Sequence, residues 1–486
     1  MFKHLKQLAG DSLIYGVSGV IGKMIGIFLV PIYTRLFLPE DYGIINLINI
    51  SFFLLSILIV SALDNSFARW FYDTKEESEQ KKSFAVYVWY QFIVALFLSM
   101  VIILVSPYIA RASFNEAGKP IYIILPALSL ITNILPVALI NWYRVQRKAV
   151  ATVFFTIVQT ITTIGFTILF VIIFRWGITG VFAALTISSA IFTIVAIFQL
   201  KGWLHISFFS IIRLREMLKF ALPMIPAALS YWLLNNTDSY FILYFTKSTS
   251  EVGLFGIGAM MASVLSLFTG AFQQAWGPFA FSIIDSSDAK KVYANVFLLY
   301  GYIMGLLAAL LMLFAPEGLM IFTTPQYYDS AWVAGILGYN LTLIGLSYIA
   351  IIGISIRKTT TPYGVAMLYA TIITIVLNFI LIPRFGKEGS AMATVIAQVI
   401  VPVYLFYIGQ KVYSIPYKFL EVAILIVAFL GITIMIRFIQ FDNLFIQILT
   451  KTIVAIFMIA AVFLLKRKIF IQLLLKTKRG KFRAKI

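Results

Sequence analysis

Between residues 12 and 465 the chain alternates long apolar runs with short polar breaks, and the runs repeatedly reach roughly 18 residues or more, enough to cross a bilayer as one helix. Fourteen spans are predicted, at roughly 12–34, 43–63, 84–106, 120–142, 151–174, 178–199, 220–245, 252–276, 292–314, 330–355, 362–382, 389–409, 417–437 and 444–465. The first run is too long for a signal-peptide core and ends in Pro31 and charged residues, so it is expected to remain as a helix. The predicted fold class is an all-α polytopic membrane protein.

A second periodicity lies over the first. Arg35-Leu-Phe-Leu-Pro-Glu-Asp-Tyr-Gly43 returns as Tyr244-Phe-Thr-Lys-Ser-Thr-Ser-Glu-Val-Gly253, and Arg147-Lys148 returns as Arg357-Lys358, both displaced by 210. Arg175-Trp-Gly-Ile-Thr-Gly180 returns as Arg384-Phe-Gly-Lys-Glu-Gly389, with both glycines displaced by 209. Ala62 to Tyr72 matches Ala271 to Phe281 more weakly. A duplicated membrane bundle is the signature of a transporter. The repeat predicts an N-lobe at 1–200 (spans 1–6), an amphipathic linker at 201–219, a C-lobe at 220–410 (spans 7–12), two further spans at 411–465 and a basic tail at 466–486. Six is even, so the lobes are expected to share one orientation about an axis along the membrane normal. The linker carries Arg213, Arg215 and Lys219 between apolar residues at helical spacing, as a helix lying on the membrane surface would.

Charge then orients the chain. Of 486 residues, 61% are hydrophobic and 12% charged, with a net charge of +19. With the N-terminus placed in the cytoplasm, 28 of the 38 Lys and Arg fall on cytoplasmic segments, eight on external loops, and Lys23 and Lys451 within spans. This positive-inside bias predicts that both termini are cytoplasmic, and it accounts for the basicity without a nucleic-acid partner. The tail from Lys466 to Ile486, with nine basic residues in 21, reads as a segment touching lipid headgroups. Cysteine is absent, and His4 and His205 both sit in predicted cytoplasmic segments, so neither a thiolate metal site nor a Ser-His-Asp arrangement is expected inside the membrane. No cofactor and no enzymatic chemistry are expected. External loops are short, leaving no room for the acceptor domain of a glycosyltransferase or polymerase.

Few polar residues remain within the spans. Gly16-Val-Ser-Gly-Val-Ile-Gly-Lys23 fails as a phosphate loop on spacing and context, and Gly22-x-x-x-Gly26 reads as close packing. Lys23 lies about 11 residues, or roughly 16 Å, into the first span, near the middle of a core about 30 Å thick. A central lysine costs about 2.5–3.5 kcal/mol, which points to a wet cavity, with a structural pair to a neighbouring helix as the competing reading. Lys451 is shallower and is expected to snorkel. Asp238 is the carboxylate expected well inside a span, and with Tyr231 and Asn235 it forms a stripe on helix 7. Its competing reading is a structural Asp capped by Asn236, Thr237 or Ser239. Arg69, Arg144 and Arg147 end helices 2 and 4 on the cytoplasmic side, where they satisfy the positive-inside rule or form an electropositive mouth for phosphate. Gln273, with Gln274 and Trp276, is either cavity lining or part of an interfacial anchor.

Leu38-Pro-Glu-Asp-Tyr-Gly43, Phe220-Ala-Leu-Pro-Met-Ile-Pro226, Asp238, Glu251-Val-Gly-Leu-Phe255 and Phe272-Gln-Gln-Ala-Trp-Gly-Pro278 resemble the polysaccharide-export branch of the multidrug/oligosaccharidyl-lipid/polysaccharide exporter superfamily, the Wzx-type O-antigen and related flippases. The resemblance covers about residues 1–465. It implies two six-helix lobes in a V, alternating access, and movement of an undecaprenyl-pyrophosphate-linked oligosaccharide from the cytoplasmic to the periplasmic leaflet of the inner membrane. Its implied partners are that lipid-linked substrate, membrane lipids and a polysaccharide polymerase complex. Lys23 and the cytoplasmic arginines would then face pyrophosphate, while Tyr231, Asn235, Asp238 and Gln273 would face the cavity. The competitors are a cation-coupled multidrug exporter, which commonly carries an acidic residue where helix 1 here has Lys23, a lipid II flippase of the same fold, and a non-transporting scaffold or scramblase.

Overall fold

A computed structural model describes residues 30–114, 119–355, 361–439 and 443–465. Among these residues every regular element is helical. The described part of the first span, residues 30–36, is helical and is labelled α1. The chain then restarts where the sequence provides the signals: Pro39 occupies the first turn of α2 (Pro39–Val60), Glu40 and Asp41 face its N-terminal dipole, and Asp41 Oδ2 accepts the Leu38 N–H at 3.2 Å. The next helices are α3 (Leu63–Asp73), α4 (Glu77–Phe114), α5 (Ile121–Thr132), α6 (Ile134–Val145), α7 (Ala149–Thr167), α8 (Ile178–Gln199), α9 (Ile211–Ala221), α10 (Ile225–Thr246), α11 (Thr249–Ala262) and α12 (Leu265–Ser282). They continue with α13 (Ala289–Phe322), α14 (Ala331–Ser355), α15 (Thr361–Val412), α16 (Phe419–Phe438) and α17 (Leu444–Leu465).

Ten of the described helices are long and apolar enough to cross a membrane, or twelve if the two bent pairs are counted as spans. The count falls below fourteen for two reasons. Residues 1–29 lie outside the described residues, and α15 is 52 residues long because two expected spans run together across a corner at Gly386. Every expected span after the first has a helical counterpart.

The chain divides into two compact units. The first comprises residues up to Ile257 together with Thr323–Tyr327 and Thr371–Ser390. At one end, α3, α4, α6 and α9 close on an aromatic core of Phe67, Phe71, Phe84 and Tyr87. The expected linker helix forms as α9, started by Ser210, whose side chain accepts the Arg213 N–H. It rests on protein: Met217 and Ala221 are buried, Ser66 Oγ donates to the Met217 carbonyl, and Arg213 pairs with Glu79 at 2.7 Å. Within α7 the hydroxyls of Thr152, Thr156, Thr160, Thr163 and Thr167 each donate one turn back along the helix, which satisfies polar groups in an apolar span.

At the opposite end the duplication becomes geometric. A Cβ on Gly43 would lie 1.8 Å from the Thr249 carbonyl oxygen, and one on Gly253 would lie 1.9 Å from that of Pro39. Thr249 and Gly253 are Pro39 and Gly43 displaced by 210 residues. The two repeats thus meet reciprocally, residue i on j and j on i, as surfaces related by a two-fold axis must. Thr324 Oγ1 donates to the Thr34 carbonyl and Tyr327 OH to that of Phe37, capping the end of α1.

The second unit comprises Gly258–Phe322, Tyr328–Ala370 and the chain from Ala391. Here α13 and α14 pack through small residues, Gly335 against Met312 and Gly345 against the Tyr300 hydroxyl. On α16, Val422 fills the space beside Gly301, and Glu421 accepts a hydrogen bond from Tyr302. Lys451 on α17 does not snorkel. It is 2% exposed and bonds Glu317 of α13 at 2.6 Å, beside Gln447 on the same oxygen at 2.9 Å. The lysine stays inside because α13 continues past the expected span end and brings in a carboxylate.

Candidate functional site

Two polar places stand out in the first unit. The basic one lies at the end formed by α3, α6 and α9. Tyr72 OH donates to the Val145 carbonyl at 2.6 Å, tying the end of α3 to the end of α6 and bringing Arg69 to the same end as Arg144 and Arg147. All three arginines are exposed. Arg69 sits 3.7 Å from Asp73, and Arg144 donates to the Asn141 side chain at 3.4 Å, so both are held loosely. Arg147 occupies the left-handed position that closes α6, with φ 56°. Its N–H bonds the Arg144 carbonyl, and the Lys148 N–H bonds that of Tyr143. Glycine is the usual residue there; a cation suits the negative end of the helix dipole. Lys148 lies over the Trp142 ring at 4.7 Å. The result is an exposed set of guanidinium forks at one end of the unit, a chemistry suited to oxyanions of the phosphate type.

The second place is buried. Asp238 on α10 is 3% exposed. Its Oδ1 accepts from Asn378 Nδ2 at 2.9 Å, and Asn378 Oδ1 in turn accepts from Ser390 Oγ at 3.2 Å. Asn378 and Ser390 are fully buried. Neighbouring side chains expected as caps turn elsewhere: Asn236 bonds the Trp232 carbonyl and Thr237 that of Leu233. The stripe of Tyr231, Asn235 and Asp238 is carried by α10 but not by one environment, since Asn235 is exposed where Asp238 is enclosed. Asp238 lies 13 residues beyond Ile225, about 20 Å along the helix, well away from the start of α10.

The other expected site residues are dispersed. Lys23 falls outside the described residues, and with it the idea of a pair with Asp238. Gln273 and Gln274 are exposed on α12 of the second unit. Trp276 is no interfacial anchor, being 4% exposed and bonded through its indole N–H to the Tyr348 carbonyl. Sequence reading missed Asn378 and Ser390, neutral residues far along the chain from Asp238. It also missed the ion network at the Gly386 corner, where the Lys387 side chain is 8% exposed between Glu251 at 3.1 Å and Glu388 at 3.3 Å. The repeat marked that corner but not its ion network. Among the described residues no cluster of His, Cys, Asp and Glu has the makings of a metal site.

The fold is that of known transporters. The structure aligns with lipid II flippase MurJ in an inward closed conformation at a TM-score of 0.75, with 16% sequence identity, covering 94% of this chain and 100% of that one. It aligns with an inward-facing multidrug resistance MATE family transporter of the MOP superfamily at 0.65 and 14% identity, covering 80% and 94%. An uncharacterized membrane protein of Methanocaldococcus jannaschii is 21% identical over 92% of both chains. Residues 8–284 match the model of the polysaccharide biosynthesis protein family, more than half the sequence. The chain belongs to that polysaccharide biosynthesis family.

Proposed function

We propose that the protein is a flippase that moves an undecaprenyl-pyrophosphate-linked oligosaccharide, an O-antigen or related repeat unit, from the cytoplasmic to the periplasmic leaflet by alternating access. The observation that carries the reading is the combination of a polysaccharide family match with a transporter fold that extends to α16 and α17 and covers a lipid flippase over its full length. A lipid pyrophosphate with a sugar head carries negative charge and many hydroxyls. The basic mouth of Arg69, Arg144 and Arg147 would lie on the cytoplasmic side with both termini, at the inner membrane, and gather the pyrophosphate. Lys23 would offer countercharge deeper in the membrane, and Tyr231, Asn235 and Gln273 would meet sugar hydroxyls. A polymerase complex would take the product.

Asp238 fits a different part of the cycle. Asp238 is enclosed by protein, and the Asn378 amide that bonds it is itself held by Ser390. Its enclosure favours a role in the conformational cycle over direct contact with sugar. A lipid II cargo, suggested by the MurJ likeness, is the competing reading.

Deletion of the gene is expected to leave a specific lipid-linked oligosaccharide in the cytoplasmic leaflet, measured by extraction and mass spectrometry. Lys23→Ala and Arg147→Ala, expressed at normal levels, are expected to restore polymer export poorly. Normal export by both would remove the pyrophosphate role, and drug hypersensitivity without accumulation would favour a multidrug exporter.

A further inference from the structure

In the first unit a cavity of about 180 Å³ opens between α2, α4, α5 and α10. Its walls include Leu47 and Leu55 of α2 and Ile102 and Ile109 of α4, and are almost wholly hydrocarbon. Two hydroxyls reach it, from Ser51 and Tyr240, and they bond each other at 2.5 Å. Ser51 gives its proton to the Leu47 carbonyl, so Tyr240 is the donor of the pair and neither hydroxyl proton is left for a ligand. Neither hydroxyl can therefore donate to a phosphate oxygen here. At the rim Ile109 is exposed, and Leu104, Val105 and Tyr108 on the same helix add exposed apolar surface beside it.

Depth narrows the occupant. Counted from Gly43, where α2 turns apolar, Leu47 and Leu55 lie about 6 and 18 Å down, in a core about 30 Å thick. The cavity thus reaches the mid-plane, where the far end of a long lipid chain resides whichever leaflet holds its head. An apolar cavity of about 150 Å³ is known to accept a benzene molecule, so this one has room for a compact five-carbon, methyl-branched unit. The seam behind it is bonded across α2 and α10, by Asn46 to Ser239 and by the Trp232 indole N–H to the Ile50 carbonyl, which gives the cavity a wall able to persist while other parts move.

We propose that this cavity holds the distal isoprenoid end of the lipid-linked cargo as an anchor while the head group crosses. The inference rests on the flippase reading and adds where the lipid is held. It places the tail site on α2, α4 and α10, apart from the basic mouth that gathers the head.

The test is photo-crosslinking of the full chain. A benzoyl-phenylalanine replaces Phe52, on the cavity wall, or Phe97, exposed on α4, in phosphatidylethanolamine/phosphatidylglycerol vesicles with and without undecaprenyl phosphate. An isoprenoid adduct at position 52 several-fold above that at 97 is expected. Equal yields, or a phospholipid adduct alone at 52, would overturn the proposal. Leu55→Trp, which fills the cavity, is expected to lower polymer export several-fold at normal expression, and unchanged export would also overturn it. Accumulation of lipid-linked oligosaccharide in null cells judges the flippase reading separately, because the vesicle experiment uses a lipid without sugars.

Discussion

The two corners that recur in the repeat, at Arg175–Gly180 and Arg384–Gly389, share the conformation of one glycine and little else. Gly177 has φ 57° and ψ −136°, and Gly386 has φ 54° and ψ −133°, a conformation essentially reserved for glycine. The first corner is aromatic: Trp176 stacks on Phe170 at 4.9 Å, and Phe170 on Phe166 at 5.6 Å. The second is ionic, with Lys387 enclosed by Glu251 and Glu388. Glu251 Oε2 also accepts the Lys387 N–H at 3.3 Å, so one carboxylate staples the start of α11 to the bend in α15. The comparison teaches that duplication preserved a turn while its supports diverged. Where the supports differ, the repeats are free to differ in how firmly they hold.

The largest expected effect tests what the repeats still share. Gly43→Ala and Gly253→Ala each drive a methyl into the opposing carbonyl at under 2 Å, so both are expected to destabilise by about 3 kcal/mol or more, at the upper end for overpacking. Reciprocity requires the two losses to be similar. Thermal unfolding followed by size-exclusion fluorescence would measure them, and a large loss in one with none in the other would break the two-fold reading. Next come the corner glycines, where the supports should show. Gly177→Ala has open space and suffers strain alone, about 1–3 kcal/mol for a non-glycine in such a region. Gly386→Ala suffers the same strain and also brings its methyl 3.0 Å from Glu251 Oε2, so it is expected to be the worse of the two.

These contrasts also show what the sequence could and could not disclose. Spacing alone placed the spans, and the Gly43/Gly253 and Gly177/Gly386 correspondences were legible because glycine is needed wherever backbones touch or turn. The partners of Asp238 were not legible. Asn378 and Ser390 are neutral and lie within ordinary apolar spans, and only folding brings Asn378 to the carboxylate and Ser390 to Asn378. Glu317 was hidden differently, by a helix that runs beyond its apolar stretch and so carries the carboxylate to Lys451. Charge could be counted from the sequence, but pairing across distant helices could not.

Lys387→Met should separate the corners further. It leaves Glu251 and Glu388 facing each other without the cation. Both carboxylates are about one-quarter exposed, so the expected loss is about 1–2 kcal/mol, below the 3–5 typical of a fully buried pair. Adding Glu251→Gln should recover part of it, because the repulsion goes with the charge. Trp176→Ala at the aromatic corner should cost about 1 kcal/mol, since its ring is half exposed and mainly loses stacking. No second substitution of charge should rescue it.

The smallest expected effect is a deletion in the first lobe, which tests the register of the repeat itself. The offset is 210 at Arg147 and 209 at Gly177, so the first lobe holds one residue more between these points. The chain from Ile168 to Ile173 forms a π-helical turn, and the Phe174 N–H reaches back five residues to the Leu169 carbonyl. Such a turn absorbs one extra residue without rotating the chain beyond it. Deleting Ile172, which is 41% exposed, should therefore close the turn to an ordinary α-helix and leave the Gly177 corner in place, with a stability change within about 1 kcal/mol. The matching stretch of α15 has no slack. Deleting Val376 there should rotate Asn378 and the Gly386 corner by about 100° relative to the rest of the helix, removing the Asp238 bond and the Lys387 network together. Hydrogen exchange at residues 168–180 and 376–390 would read both deletions. Equal damage at the two corners would mean that the π turn is a fixed part of the first lobe, and its extra residue no mere insertion.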